Sequence, residues 1–484
     1  MTGKRRANRR TTATAMLLLS GLPFTGQVSA ETLQGALAKA YRTNPTLTAT
    51  RAGQRATDEG VPIQKAAGRP SAGATAEFEE LVSRPAGSLV SPRRSAIASG
   101  SVTVPLYSGG AVRNGVKAAE VRVAAGQANL RATEASVFSQ VVAAYLDVIR
   151  DSAIVSLSRA NVNVLDVNLQ ATNDRFEVGD VTRTDVAQSE SRLALARSDL
   201  NLAEANLIAS RENYIALVGD EPDDLAVPPA LPGLPASPEA AVQVALADNP
   251  DILSAKKARE AAGYDVRVAK AGVLPTISGF AQGSYTDYLD KDYGNSHAVV
   301  VGATLNLPIY QGGRPAAQVR QSQARESQSI EDEIAVERGV IAQARAAYAS
   351  WQASMQSIQS SQKAVDATNL SLEGVRAENS VGSRTILDIL NAEQEALNAR
   401  VELVTARRNA YVAGFTLLAA MGHAEADDLA LEGGALYDPM VNYDRVKGKW
   451  FDWDFDPAPT AQATRTVDTP AQNANVDPDT AQKP

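Results

Sequence analysis

Two threonine–aspartate pairs have the most informative spacing among the polar residues of this sequence. Thr182 stands three residues before Asp185, and Thr385 stands three residues before Asp388. This is the spacing of a capping box, in which a hydroxyl and a carboxylate accept hydrogen bonds from the free N–H groups at a helix start. The pairs therefore predict two helix starts, and a further role for the two carboxylates stays open beside capping.

The histidines and cysteines, by contrast, offer little chemistry. The 484 residues include no cysteine and only two histidines, His297 and His423, which lie far apart. Thiolate metal sites and disulfides are excluded, and histidine clusters and most histidine acid–base catalysis are disfavoured. No grouping of nucleophile, base and orienting residue can be read. The sequence thus predicts a protein that is not an enzyme, with no catalytic residue, no metal and no cofactor.

Charge and targeting signals set the compartment. Residues 1–30 combine five basic residues, a short apolar run and a small-residue cleavage pattern ending in Ala30, which predicts a signal peptide. Removal of the signal peptide changes the net charge from −8 to −13. A nucleic-acid binder is expected to carry a positive net charge instead. No later apolar run reaches the roughly 18 residues of a membrane-spanning helix. A chain exported in this way would enter a membrane only as a closed β-barrel.

The chain repeats itself once. Residues 40–47 recur as 245–252 at an offset of 205, and 105–110 recur as 308–313 at an offset of 203. This predicts a duplicated unit of about 200 residues. We predict a first repeat at 31–221, a linker at 222–238, a second repeat at 239–422, a C-terminal segment at 423–455 and a disordered tail at 456–484, rich in Pro, Ala, Thr, Asn and Gln.

Each repeat begins with a predicted amphipathic helix, at about 33–67 and 238–272. Two strands follow in each, at about 71–81 and 95–107 in the first repeat and 275–288 and 297–310 in the second. The later strand of each pair alternates apolar residues, such as Val299 and Val301, with polar or small ones, which predicts one apolar face.

Long helices complete each repeat. No proline interrupts residues 107–220 or 317–437. Apolar or small residues recur there every seven positions, and so do their copies 203 residues later: Val141, Val148, Val155, Val162 and Leu169, then Val186, Leu193, Leu200, Leu207 and Tyr214. The strict seven-residue period predicts supercoiled antiparallel helices. The polar helix faces fit a solvated surface or a wet lumen equally well.

The helix turns carry a resemblance to a known family. Residues 175–186 (RFEVGDVTRTDV) and 381–390 (VGSRTILDIL) resemble the two helix-turn-helix tips of the TolC family of outer-membrane efflux and type I secretion channels. The resemblance covers about residues 31–453. It implies a mainly α fold with a membrane β portion, in which a homotrimer forms an α-helical tunnel topped by a shared β-barrel with four strands per chain.

The resemblance also implies a function and partners. The protein would be a passive exit duct in the outer membrane, in contact with its lipid and with a long periplasmic extension. A periplasmic adaptor and an inner-membrane ABC or RND pump would recruit it. Residues 109–224 look most like members that serve type I protein secretion. A rival interpretation is a periplasmic coiled-coil adaptor or scaffold without a pore, against which the alternating strands argue.

Individual residues acquire expected roles by matching the family's motifs. Asp388 matches an aspartate that rings the narrow aperture, while Asn391 replaces a second such aspartate, which predicts a weaker preference for cations. Arg384, Thr184 and Asp185 match residues that latch neighbouring coils in the closed state.

Two further features of the tips depart from or extend that pattern. Asn379 stands where the family has an aromatic latch residue, so we expect a latch that is looser or differently connected. Val178, Gly179, Val381 and Gly382 match the surface on which the periplasmic adaptor docks. The two glycines also predict tight turns.

Overall fold

A computed structural model describes residues 30–83, 92–289, 293–431 and 436–476. The predicted signal peptide lies outside the described residues except for Ala30. In chain order the elements are α1 (Leu33–Thr43), α2 (Pro45–Asp58), α3 (Gly60–Ala66), β1 (Ser71–Glu80), β2 (Arg94–Tyr107), α4 (Ala111–Glu177), α5 (Arg183–Val218), α6 (Pro238–Asp248), α7 (Pro250–Ala271), β3 (Thr276–Asp287), β4 (Asn295–Asn306), α8 (Arg314–Ser380), α9 (Ile386–Met421) and α10 (Pro439–Val446).

The prediction of one continuous helix before each pair of strands is wrong. Helix α1 ends before Asn44, which is extended and caps α2 by accepting from the N–H groups of Thr46 and Leu47. Pro45 at the first position of α2 cannot donate to the preceding turn. Asn249 and Pro250 break the second region in the same way, between α6 and α7.

Both capping asparagines also hold a distant helix. The Asn44 side chain donates to the carbonyl of Leu217 at the end of α5, at 2.9 Å. Asn249 donates to the carbonyl of Ala420 at the end of α9, at 3.0 Å. Each break in the early helix therefore serves as an anchor for the end of a return helix.

The four described strands form one antiparallel sheet in the order β1-β2-β3-β4. Its central pair joins the two halves of the chain, since β2 pairs with β3. Side chains of one face follow every second residue. Two cross-strand rows of that face are Ala74, Gly100, Gly283 and Val299, and Val102, Ala281 and Val301. Both predicted apolar runs thus lie on the same face.

Prolines shape the ends of two strands. β4 ends at Asn306, short of the predicted residue 310, and Pro308 in that interval has no N–H to pair with a neighbour. β2 continues past Pro105 to Tyr107, but its register against β3 shifts between these two residues.

The helices α4 and α8 each have 67 residues, about 100 Å in length. Their return helices, α5 and α9, each have 36. The seven-residue periodicity is confirmed as the packing seam: Val141, Val155, Leu207, Tyr214, Ala344 and Leu417 on these lines are completely inaccessible to solvent. Farther along the same lines, Leu193 packs with Val162 and Leu169 of α4, and Leu372 packs with Ala396 of α9, so the seam holds each helical pair together.

A large apolar core lies where α1, α4, α5 and α9 meet, around Phe138, Tyr145, Tyr214 and Phe415. The Tyr145 hydroxyl lies 2.7 Å from the carbonyl oxygen of Glu31, just before α1. Tyr348, on α8, donates similarly to the carbonyl of Ala236, just before α6, at 3.0 Å. Each tyrosine thus fixes the entry of a helical segment.

The C-terminal segment packs against the first helices and α4. Asn442 on α10 donates to Asp58 at 2.7 Å, and Arg131 pairs with Glu425 at 2.7 Å. Next to that pair, Glu134 of α4 is only 7% exposed. Burial, opposed by the charge of Arg51, raises the pKa of Glu134 to about 7. The segment thus encloses a carboxyl group that is costly to ionise.

The prediction of a disordered tail is wrong for residues 456–476. Asp456 accepts two hydrogen bonds from Arg445, at 2.7 and 2.8 Å. Farther on, the main chain of residues 472–475 is hydrogen-bonded to α4 and α5. Composition favoured disorder, but polar partners on two helices fix the segment. Residues 477–484 lie outside the described part of the chain.

Candidate functional site

The candidate site consists of the two tips, where α4 turns into α5 and α8 turns into α9. At the first tip Gly179 adopts φ +81°, and the N–H of Asp180 donates to the carbonyl of Arg175. At the second tip Gly382 adopts φ +82°, and Ser383 donates to the carbonyl of Glu378. These are helix C-caps in which the left-handed residue is glycine. The two tips therefore have the same backbone.

Both predicted capping boxes are confirmed. The Asp185 carboxylate accepts from the Thr182 N–H at 2.8 Å, and Asp388 accepts from the Thr385 N–H at 2.9 Å. Each threonine hydroxyl also donates to its carboxylate, and this bond is the main reason why the pKa of both aspartates is lowered. Both groups are therefore carboxylates at neutral pH. Capping accounts for their position, and a second role remains compatible with it.

Ion pairs at the two tips have opposite polarity. At the first tip Arg175, at the helix end, pairs with Asp180 in the turn at 2.8 Å. At the second tip Glu378, which is the copy of Arg175, pairs with Arg384 in the turn at 2.7 Å. This contact raises the pKa of Arg384. Arg384 thus bonds within its own tip, while Thr184 and Asp185 lie at the other tip.

Asn379 and Asn391 both make specific contacts. The Asn379 side chain donates to the Arg384 carbonyl at 2.7 Å and so closes the turn on itself. Asn391, on α9, accepts a hydrogen bond from Arg192 of α5 at 2.7 Å. The first contact lies within one tip, and the second joins the two return helices.

Sequence reasoning missed Arg192 and Leu390. Leu390 is 2% exposed and packs against Leu165, Leu193 and Ala196 of the first helical pair. With the Arg192–Asn391 bond, this contact couples the two hairpins close to their tips. Leu390 ends the tip motif 381–390 and follows the seven-residue seam by one position, but neither feature indicates its partners on the first helical pair.

The outermost apolar residues of the tips face solvent. Val178 is 80% exposed and Val381 is 79% exposed. Valine side chains beside a tight glycine turn offer a small apolar surface at the end of each hairpin. Within the described residues there is no cluster of His, Asp and Glu that could hold a metal ion. None of the helices described is long and apolar enough to span a bilayer.

Long helical hairpins joined to an antiparallel sheet are also found in a solved outer-membrane channel. The crystal structure of the Campylobacter jejuni CmeC outer membrane channel superposes with a TM-score of 0.73, covering 86% of this chain and 89% of that one at 16% identity. The chain therefore shares the fold of that channel.

Sequence comparison names the family. Residues 36–220 and 241–423 match the outer membrane efflux protein family. The outer membrane efflux protein BepC of Brucella suis is 38% identical over 439 residues, 90% of this chain and 95% of BepC. The outer membrane protein TolC of Escherichia coli is 29% identical over 315 residues, 61% of this chain and 63% of TolC. The chain belongs to the outer membrane efflux protein family, and the predicted resemblance to TolC is confirmed.

Proposed function

We propose that this protein is the outer-membrane exit duct of a tripartite efflux or type I secretion system. Membership of the outer membrane efflux protein family is the observation that carries the proposal. The duct is passive, and an inner-membrane pump supplies the energy. The paired tips, about 100 Å along α4 and α8 from the sheet, form its periplasmic entrance.

The functional unit is a homotrimer. The sheet of one chain has four strands, so β1 and β4 each keep an edge without a partner strand within the described residues. An open edge in lipid leaves N–H and C=O groups unpaired, which is costly. Three chains side by side pair these edges in one shared β-barrel. The face with Val299 and Val301 then contacts outer-membrane lipid, and the duplicated helical pairs form the tunnel below.

Asp388 forms an aperture ring at the narrow end of this tunnel. Its ionised carboxylate, repeated three times, attracts cations and repels anions. Because Asn391 is neutral and bonded to Arg192, one charged ring stands where two were possible. Cation preference is therefore modest.

Opening separates the return helices at the tips. In the closed trimer, Arg384 binds Thr184 or Asp185 of a neighbouring coil instead of Glu378. Binding of the adaptor breaks this latch and allows the opening. The exposed Val178 and Val381, with their glycine turns, receive the adaptor. The opening is a switch between two helix packings.

Single-channel conductance of the purified mature protein in a planar bilayer tests the proposal. Wild type should conduct weakly, and Arg384→Ala should conduct more. Arg197→Ala is the matched control, because it removes the ion pair between Arg197 of α5 and Asp166, neither of which belongs to the latch. A pore indifferent to Arg384→Ala would remove the latch and keep the duct. No conductance from a folded sample would favour the periplasmic scaffold.

A further inference from the structure

The end of the described tail follows the first helical pair as an extended segment. Alternate side chains turn towards the protein body: Gln472, Ala474 and Val476 are half-buried, whereas Asn473 and Asn475 are exposed. A period of two is the pattern of a strand lying on a surface. The segment nevertheless lies outside the four-stranded sheet, so its main chain must find other partners.

Two arginines supply those partners. Arg211 of α5 donates to the carbonyl oxygens of both Asn473 and Asn475, the latter at 2.8 Å. Arg159 of α4 donates to the carbonyl of Ala474 at 2.9 Å while pairing with Glu204 of α5 at 2.7 Å. Three consecutive carbonyls are therefore bound by guanidinium groups, which are strong donors in fixed geometry.

The opposite side of the contact is completed by a carboxylate and by apolar packing. Glu212 accepts from the Gln472 N–H at 3.1 Å. Ala474 and Val476 pack against the large apolar core. Val476 also borders a cavity of about 360 Å³ whose wall includes Val148, Ile149 and Leu225. The groove thus binds the main chain through charged groups and holds small apolar side chains between them.

The second half of the chain fills the corresponding place differently. The copy of Arg211 at the offset of 203 is Gly414. A Cβ on Gly414 would come within 2.9 Å of Leu231, a residue of the linker between the halves. The linker thus covers α9 directly, where α5 presents an arginine to the tail. Arg211 is unusual for another reason: burial lowers the pKa of its guanidinium, so the tail carbonyls satisfy a partly desolvated charge.

We propose that Arg159, Arg211 and Glu212 form a binding groove for an extended peptide, whose occupant is residues 472–476 of this chain. The bound tail acts as a clasp that fastens the C-terminal segment to the first hairpin, near the end of α5 that lies away from the tip. The Asn473 side chain supports this conformation by accepting a hydrogen bond from the N–H of Asn475 at 2.8 Å. This clasp is independent of ion conduction, so conductance is not its readout.

Limited digestion of the full-length mature protein with proteinase K tests the clasp, with mass spectrometry to locate cuts at 470–476. Arg211→Met should speed cleavage there at least tenfold. Arg197→Met is the matched control, because Arg197 lies on the same helix and pairs with Asp166 rather than with the tail. Its cleavage rate should stay within twofold of wild type.

A second variant avoids any doubt about folding of the helices. Val476→Asp alters only the tail and should also release it, since the carboxylate gives up the packing of Val476 against the apolar core and brings its charge to a cavity that Asp223 and Asp224 also line. A synthetic peptide of residues 466–476 should then bind to the full-length Val476→Asp protein, and adding Arg211→Met to that protein should abolish peptide binding. Equal cleavage in wild type, Arg211→Met and Val476→Asp, or a peptide that fails to bind, would overturn the proposal.

Discussion

Replacing Glu134 with glutamine should stabilise the protein at alkaline pH and leave it almost unchanged in acid. The side chain is 7% exposed, and its surroundings include Arg51 and the acidic Glu425 and Asp427. Burial makes ionisation costly, so the folded state keeps the proton to a higher pH than the unfolded state does. Glutamine has a similar shape and no proton to lose.

The size of the effect follows from the pKa of Glu134, which rises from 4.5 to about 7 on folding. That difference corresponds to about 3 kcal/mol of unfolding free energy. The contribution is fully present below pH 4.5 and is lost as the pH rises through about 7, because only the unfolded state ionises in between. Roughly 2 kcal/mol of the loss falls between pH 5.5 and pH 8.

Guanidinium unfolding followed by helical ellipticity, at pH 5.5 and pH 8, measures this difference. The advantage of Glu134→Gln over wild type should grow by about 2 kcal/mol at the higher pH. Glu337→Gln is the matched control, since Glu337 is the copy of Glu134 on α8 and is less buried. An advantage that does not change with pH, or one that Glu337→Gln reproduces, would refute burial as the cause.

Three further predictions concern the helical pairs. Asp388→Asn should reduce the permeability ratio of cations to anions without loss of the proposed trimer. Asp185→Asn, which changes a carboxylate with the same capping geometry, should leave this ratio unchanged. Equal permeability ratios in the two variants would mean that Asp388 serves only as a helix cap. Arg192→Ala removes a hydrogen bond between the return helices and should raise single-channel conductance, and an unchanged current would assign the coupling to apolar packing alone. Gly219→Ala should lower the melting temperature more than Gly179→Ala. An alanine at either position would have a positive φ, which costs about 1–2 kcal/mol of stability, but only at Gly219 would the new Cβ also meet the tail. Equal decreases in melting temperature would contradict the position of the tail.

Features that depend on near neighbours were the most predictable from sequence. The capping boxes involve residues three apart, and the seam of the long helices repeats every seven, so local spacing was sufficient for both. The break at Asn44–Pro45 had its own sequence signal, a capping residue followed by proline, but the apolar pattern of the helix continues on both sides of it and favoured one continuous helix. A capping asparagine before proline deserved more weight than the amphipathic pattern.

Contacts between distant parts of the chain could not be read in this way. The Arg192–Asn391 bond joins residues 199 positions apart and depends on how two hairpins lie together. The tail illustrates the same limit, because its composition is that of a flexible segment while its partners on α5 lie about 260 positions earlier. The roles of Asp388, Arg384 and the exposed valines remain predictions, since they depend on the proposed trimer and adaptor.

The central pairing of β2 with β3 has a consequence for how the chain folds after export. Gly100 on β2 pairs with Gly283 on β3, so the central pair of strands can form only when a loop of 182 residues closes. Closing so long a loop costs entropy, and contacts of high sequence separation form slowly. The hairpin α4–α5 can assemble from local contacts in the meantime. The β1–β2 ribbon, by contrast, keeps an unpaired edge until β3 arrives, and the chain is most exposed to aggregation during this interval.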